Sequence, residues 1–418
     1  MKNVQFNSLR LSKPILEAIS EEGYKTPTPV QVAAIPHVLA GRDLMATAQT
    51  GTGKTAAFSL PMLQLLSERR AHTNGKSKKG RNAVQALILT PTRELALQID
   101  ASFRAYGRHL PFRTAVILGG VPQGGQMRAL SKNPAIVVAT PGRLLDLANQ
   151  GVIRLDDVQT LVLDEADRML DMGFIHDVRT IVNLTPKDRQ TLLFSATLTR
   201  GIAELASDML HDPAFVEVTP AATVSGNISQ KVLFVRQNNK LALLASILRD
   251  KSMGRTLVFT RTKYKADRIK RSLEREGISA DSIHSNKTQR ARERTLSGFG
   301  RGKIQVLVAT DIVSRGIDVD GISHVVNYEL PNEAESYVHR IGRTARAGAD
   351  GTAFSFCDAE ELSMLRAIEK LTKTPLDAHE DHPFHSKSIG SLRHRSTVAK
   401  PTGSGRRRSS SRGRRVYR

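Results

Sequence analysis

Short apolar runs rich in branched residues alternate with segments of helical spacing along most of the chain. From Asp43 onward the runs are 43–48, 86–90, 114–118, 135–140, 160–164 and 190–195, each bounded by Gly, Pro or Thr. Most lead into an amphipathic stretch such as Glu94–Arg104. Strand–helix alternation of this kind predicts a parallel sheet covered by helices. The rhythm fades across Pro213–Asn227, where Thr, Ala, Ser and Gly dominate, and this stretch reads as an interdomain linker. A second series follows at 231–235, 255–260, 279–283, 304–310, 324–328 and 351–356, with helical stretches 240–249 and 263–276 between. The expected fold class is α/β, with two tandem domains, each a mostly parallel sheet flanked by helices. Residues 1–217 form the first, 218–228 the linker and 229–375 the second. After Pro375 the periodicity is lost, so residues 376–418 are expected to be a disordered basic tail. The polar stretch His72–Asn82 reads as an exposed loop.

Composition narrows the partners. A length of 418 residues suits two or three domains, and 40% hydrophobic residues suffice for their cores. Cys357 is the only cysteine, which rules out an intramolecular disulfide and points to a reducing compartment. Met1–Arg10 is polar, and no apolar run approaches the roughly 18 residues of a membrane span. A cytoplasmic protein with no membrane partner is expected. The net charge of +22 favours polyanions, nucleic acid first. Eleven Lys or Arg and no acid lie between Pro383 and Arg418, so half of that excess sits in the last 36 residues. Arginine interleaved with Ser and Gly, plus Tyr417, suits RNA attachment by phosphate contact and stacking. A solvated end that only aids solubility is the plainer alternative.

The segment Ala48–Thr55 (AQTGTGKT) follows an expected strand and precedes an expected helix. Backbone N–H groups of such a loop converge on phosphate, and the helix start adds positive potential. Lys54 would reach the β and γ phosphates of ATP, and Thr55 would hold Mg2+. Alone, the string also fits a glycine turn that merely caps a helix. Its companion is Leu161–Asp167 (LVLDEAD), an apolar strand ending in carboxylates. Asp164 is in position to hold Mg2+ through water, and Glu165 to polarise the attacking water as general base. Upstream, Gly23–Gln31 offers a carboxamide, Gln31, suited to an adenine edge, and a ring, Tyr24, suited to stacking. A Pro-rich turn entering a helix explains the same residues.

Taken together, these segments resemble the DEAD-box RNA helicases from about Phe6 to Phe356. Gly23–Gln31, with the isolated Phe6 upstream, matches the family's adenine-recognising segment. The phosphate loop matches in full, including Thr50, Gly51, Thr52 and Gly53, and Ala48 is the family's usual first residue. The tetrad is Asp164, Glu165, Ala166 and Asp167, and Ser195-Ala196-Thr197 is similar to the coupling motif. RNA-contacting segments are matched by Pro91, Thr92 and Arg93, by Gly119 and Gly120, and by Thr140, Pro141, Gly142 and Arg143. In the second half the matches are Arg261 and Thr262, Gln289 and Arg292, Thr310, Asp311 and Arg315 within Ala309–Asp318, and His339–Gly348. One departure is Ala345, where the family usually has Gly, a cost if that position needs a positive φ.

The resemblance implies two RecA-like domains and an ATP site completed from both. Lys54, Thr55, Asp164 and Glu165 would come from the first, with arginine fingers Arg343 and Arg346 and the ribose contact Asp318 from the second. Asp167, Ser195, Thr197 and His339 would couple the halves. ATP with Mg2+ and RNA, single-stranded or in short duplexes, with ribosomal RNA among the candidates, are the implied ligands, and a monomer the implied state. Closure favoured by both ligands makes each tighten the other. Contacts to phosphate and sugar imply low sequence specificity. An ATP-gated clamp or scaffold with little unwinding, or a DNA-directed motor, are the rival readings. The short Arg/Ser/Gly tail is similar to that of the bacterial RhlE-like branch.

Overall fold

A computed structural model describes residues 4–48, 51–72, 84–218, 227–250, 253–311, 319, 321–345 and 349–395. Strands β1 to β7 are Leu44–Thr47, Ala86–Leu89, Thr114–Ile117, Ile136–Ala139, Thr160–Leu163, Gln190–Ser195 and Ala214–Glu217. They form one sheet in the order β3-β4-β2-β5-β6-β1-β7, with every pairing parallel. Strands β8 to β14 are Ile228–Phe234, Thr256–Phe259, Ala280–Ile283, Val306–Ala309, His324–Asn327, Gly351–Cys357 and Asp377–Ala378. The second sheet runs β10-β11-β9-β12-β13-β8-β14, again all parallel.

The unbroken apolar runs follow from burial on both faces. Successive side chains of a strand point to opposite sides. In the first sheet Leu44, Ala46, Ile88 and Val138 enter one core, while Met45, Leu87, Leu89 and Val137 enter the other. Helices cover both faces, and threonines stop several strands by capping the next helix. Thr92, Thr199, Thr262 and Thr288 each accept a hydrogen bond from the backbone N–H three residues on.

Two edge strands escaped the sequence reading. In β7 buried and exposed residues alternate, with Phe215 open to solvent, so no apolar run marks it. β14 is two exposed residues long. The first sheet therefore reaches into the stretch read as linker, and β8 begins at Ile228, inside the expected 218–228 boundary. Residues 219–226 lie outside the described residues.

The expected start of the tail also moves. Residues 376–395 are folded onto the second sheet: β14 pairs with β8, His385 bridges to Val235, and a helix spans Lys387–Arg395. Leu376 and Ile389 join the core, and Arg393 lies over the Phe234 ring while pairing with Glu369. A few well-placed apolar residues hold this segment without any periodic pattern. Residues 396–418 lie outside the described residues, as does most of the loop read at His72–Asn82.

Candidate active site and nucleic-acid interface

Parallel strands put all their carboxyl ends on one edge, where ligands bind in open α/β sheets. In the first sheet that edge divides in two. The neighbours β5, β6 and β1 lead into Asp164, the Ser195 segment and the phosphate loop. The neighbours β3, β4 and β2 lead into Gly119-Gly120, Thr140–Arg143 and Pro91–Arg93.

Lys54 opens the helix Lys54–His72, and its Nζ donates to Ala48 O at 2.8 Å. Gly53 has φ +92°, and a Cβ there would fall 2.5 Å from Gln31 Nε2. A side chain would thus fill the phosphate cradle and collide with Gln31. The carboxamide of Gln31 accepts from Thr28 N at 2.9 Å and donates to Gly53 O at 3.1 Å. One N–H and one lone pair of that amide stay uncommitted, a set that matches one adenine edge. Thr55 follows Lys54 in the first turn, beside Gly51 and Thr52. Thr50 lies outside the described residues.

Asp164 is fully buried, and burial pushes its carboxyl up to about 7, only partly offset by the Lys54 charge. A buried carboxylate so short of positive charge suits a divalent cation, as do the hydroxyl of Thr55 and an open phosphate loop. Glu165 stands in the left-handed region at φ 54°, uncommon for a residue with a side chain. Burial works to raise its pKa, but Arg168 and Lys54 outweigh that and hold it below the ordinary carboxylate range. Arg168 Nη1 lies 2.7 Å from Glu165 Oε2, both side chains buried. Held low, Glu165 is ionised, the state that polarising a water requires.

The two lobes meet over this site. A cleft of about 270 Å3 is lined by Glu165, Asp167 and Thr197 from the first and by His339 and Arg343 from the second. Asp167 Oδ2 accepts from Ala196 N at 3.1 Å, Thr197 N at 3.2 Å and Thr197 Oγ1 at 3.2 Å. Ser195 Oγ donates to Thr197 O at 2.7 Å. The four expected coupling residues are thereby gathered at one place. Arg343 is buried, its Nε donating to His339 O at 3.3 Å, and its charge acts on Glu165. Arg346, Asp318 and Arg315 lie outside the described residues.

On the neighbouring half of the edge, Gly120 (φ +70°) lets the Arg93 guanidinium approach so closely that a Cβ would sit 2.1 Å from its Nη2. Arg143 Nη1 donates to Val121 O at 3.3 Å, drawing the segment Thr140, Pro141, Gly142, Arg143 to the Gly119-Gly120 turn. The buried Gln126, not singled out in the sequence, brackets Leu118 by bonds to its N–H and C=O and so fixes that turn.

In the second lobe Arg261 and Thr262 follow β9. Arg261 Nη2 meets Glu329 Oε1 at 3.1 Å and Glu361 Oε1 at 3.3 Å. Glu329 also accepts from Thr260 Oγ1 and Arg261 N, and pairs with Lys265. Burial raises Glu329, yet Lys265 and the Arg261 N–H draw its carboxyl down to about 2. Deeper in, Lys240 pairs with Glu361 and with Asp358 at 3.0 Å. Alternating charges thus run from the core to the Arg261 surface, unforeseen because Lys240, Glu329 and Glu361 are distant in sequence.

Several expectations need correction. Tyr24 does not face the phosphate loop: its hydroxyl meets that of Tyr106 at 3.2 Å, at the far end of the helix Arg93–Tyr106 and hence the opposite edge of the sheet. Phe6 is buried against the helix Pro29–Leu39 and presents no open face. Asp311 grips the buried Arg340 with both oxygens, at 2.6 and 2.7 Å, so its carboxylate is not open to RNA. Thr310 and Gln289 are buried too. Arg292 is turned inward, its Nη2 2.5 Å from Glu94 Oε2 across the lobe boundary. The hydroxyls of Thr92 and Thr262 serve as helix caps. Of the residues missed, Arg168 lies three positions after Glu165, in the helix Ala166–Asp171 that begins just after it.

The DEAD/DEAH box helicase family model matches residues 28–205, and the helicase conserved C-terminal domain model matches 239–348. The ATP-dependent RNA helicase CshA of Listeria monocytogenes is 41% identical over 391 residues, 93% of this chain and 73% of that protein. S. cerevisiae Dbp5 bound to RNA and ADP BeF3 is similar in structure, with TM-score 0.79 and 29% identity over 90% of this chain and 95% of the other. Mss116p bound to ssRNA and AMP-PNP gives a TM-score of 0.82 at 29% identity, covering 96% of this chain and 84% of the other. The RhlE-like placement stays a reading of the tail alone.

Proposed function

The chain belongs to the DEAD-box ATP-dependent RNA helicases, and on that premise we propose how its own residues divide the work. It hydrolyses ATP in an RNA-stimulated manner and remodels RNA, with ATP and Mg2+ as its ligands. The γ-phosphate is held by the loop N–H groups and by Lys54, whose Nζ must leave Ala48 O to reach it. Gln31 reads adenine with its uncommitted N–H and lone pair while tying the base to the loop through Gly53. Thr55 and Asp164 would hold Mg2+, which would supply charge neutralisation at the phosphates. Glu165, kept ionised by Arg168, accepts a hydrogen bond from the attacking water and aligns it. Water adds to the γ-phosphorus as the bond to the bridging oxygen breaks, and Arg343 and Arg346 stabilise the charge that spreads over the phosphoryl oxygens.

RNA lies on the other half of the edge. Arg93, Arg143 and the Gly119-Gly120 turn hold it in the first lobe, and Arg261 with the helix start at Thr262 holds it in the second. These are phosphate and sugar contacts, so sequence is read weakly. Single strands, short duplexes and ribosomal RNA are all suitable substrates. One chain carries both halves of the site, which favours the monomer as the working unit. Cys357 is buried with its thiol pushed up to about 12, inert and suited to the reducing cytoplasm.

The observation that carries this reading is the cleft in which Glu165 and Asp167 face His339 and Arg343. Glu165→Gln tests it: the amide keeps the shape but loses the charge that aligns water. Turnover should fall by about 10²–10⁴-fold with ATP and RNA binding retained. Wild-type turnover in that variant would remove Glu165 from the mechanism.

A further inference from the structure

The helix Lys263–Arg275 begins one residue after Arg261 and Thr262, at the carboxyl end of β9. Its buried side is Ala266, Ile269 and Leu273. Its outward side carries Tyr264, Arg268, Arg271 and Arg275, spaced four, three and four residues apart, which places them in one stripe. At 1.5 Å per residue the stripe is about 16 Å long. Tyr264 stands at the end nearest Arg261 and is 76% exposed, in a chain with only 5% aromatic residues.

Some exposed arginines elsewhere have acids beside them, as in Arg154–Asp156, Arg179–Asp208 and Arg200–Glu204. In the stripe, three without such a partner stand in line on one helix face behind an exposed ring. Among the described residues none of its three arginines makes an ion pair, because the nearby acids are engaged elsewhere. Asp267 accepts from Ser282 and meets His284, Glu274 pairs with Lys270, and Glu276 pairs with Arg249. Lys263 Nζ lies 5.2 Å from the Tyr264 ring centre, adding positive charge at the same end.

Arg271 Nε donates to Asp267 O at 3.2 Å, which leaves its charge without an acid. A ring followed by guanidinium groups that lack a counter-charge is the chemistry of a single-strand track, with a base stacked on the aromatic and phosphates on the arginines. We infer that this stripe extends the RNA path: a single strand leaving Arg261 stacks a base on Tyr264 and runs down the helix. The inference rests on the reading of Arg261 as an RNA contact. It adds a second footing on the flank of the C-terminal lobe, which lengthens the site without adding sequence preference.

The test uses the full chain with an ATP analogue and two labelled single-stranded RNAs, one of about ten nucleotides that fills the core and one about twice as long. Replacing Arg268, Arg271 and Arg275 together by Gln should weaken the longer RNA at least tenfold at low salt. It should flatten the slope of log affinity against log salt by about 2, roughly 0.7 for each lost phosphate contact. ATPase stimulated by the short RNA should stay at wild-type level. The matching Arg→Lys triple should keep the slope, and Tyr264→Leu should weaken the longer RNA by about tenfold with the slope unchanged. Equal affinity and slope for wild type and the Gln triple would overturn the track, and would be the result if the stripe served an acidic protein instead. Equal loss for both RNAs would overturn it as well, because the arginines would then belong to the core path. Failure of either RNA to stimulate the wild-type chain would count against the function itself, a distinct outcome.

Discussion

Neutralising Glu94 should penalise closure of the lobes and little else. Glu94 sits on the helix Arg93–Tyr106, beside the RNA-facing Arg93, and Arg292 reaches it from the helix Gln289–Gly300 of the other lobe. Their side chains are 4% and 7% exposed, and their contact is 2.5 Å. Burial lowers the Arg292 pKa, the Glu94 charge opposes that, and the charges of Arg93 and Arg168 add to the lowering. Glu94→Gln would leave Arg292 buried among these cations without a counter-charge. Removing one partner of a buried pair costs about 3–5 kcal/mol. When the lobes separate, both groups regain water, so the penalty falls on the closed state alone. Even 3 kcal/mol is about a hundredfold in the closing equilibrium. RNA-stimulated kcat/KM should drop by that order, and a fluorophore pair across the lobes should report the open form with ATP analogue and RNA present. Melting of the separate lobes should be unchanged. Arg292→Gln should behave alike, and the double variant should lose less than the sum of the two. Wild-type RNA-stimulated turnover in Glu94→Gln would refute the idea that this pair holds the closed state.

Further outcomes follow from single positions. Ala345 has φ 56°, so Ala345→Gly removes a strain of about 1–2 kcal/mol and restores unfolded-state entropy of about 0.4–1 kcal/mol. The melting temperature of the second lobe should rise by the equivalent of about 0.5 kcal/mol, and a fall would show that the methyl is needed for packing. Lys240→Met strips Asp358 and Glu361 of their shared cation, and urea unfolding should register a loss of about 3–5 kcal/mol. A loss below about 1 kcal/mol would mean that water or proton uptake replaces the lysine. Truncation after Arg395 removes eight Lys or Arg yet spares the folded segment. RNA affinity should weaken with a shallower salt dependence, and an identical slope would leave residues 396–418 without an RNA role.

The strand–helix rhythm, the phosphate loop and the tetrad of carboxylates were legible in the chain because each is local. A strand buried on both faces must be apolar throughout, and a loop that wraps phosphate must be rich in Gly. What tertiary structure alone decided depends on contacts between distant residues. Tyr24 and Gln31 stand seven positions apart in one motif, yet one pairs with Tyr106 at the far edge of the sheet and the other touches Gly53. Arg292 and Arg261 read alike as RNA-facing cations, but Arg292 is turned to Glu94 and Arg261 is held at the surface by Glu329 and Glu361. A charge in a sequence carries no mark of its partner; only packing chooses it, through the cost of burying a charge alone. The same cost explains Asp164, an ordinary acid in the sequence whose affinity for protons and cations is set by complete enclosure in the fold.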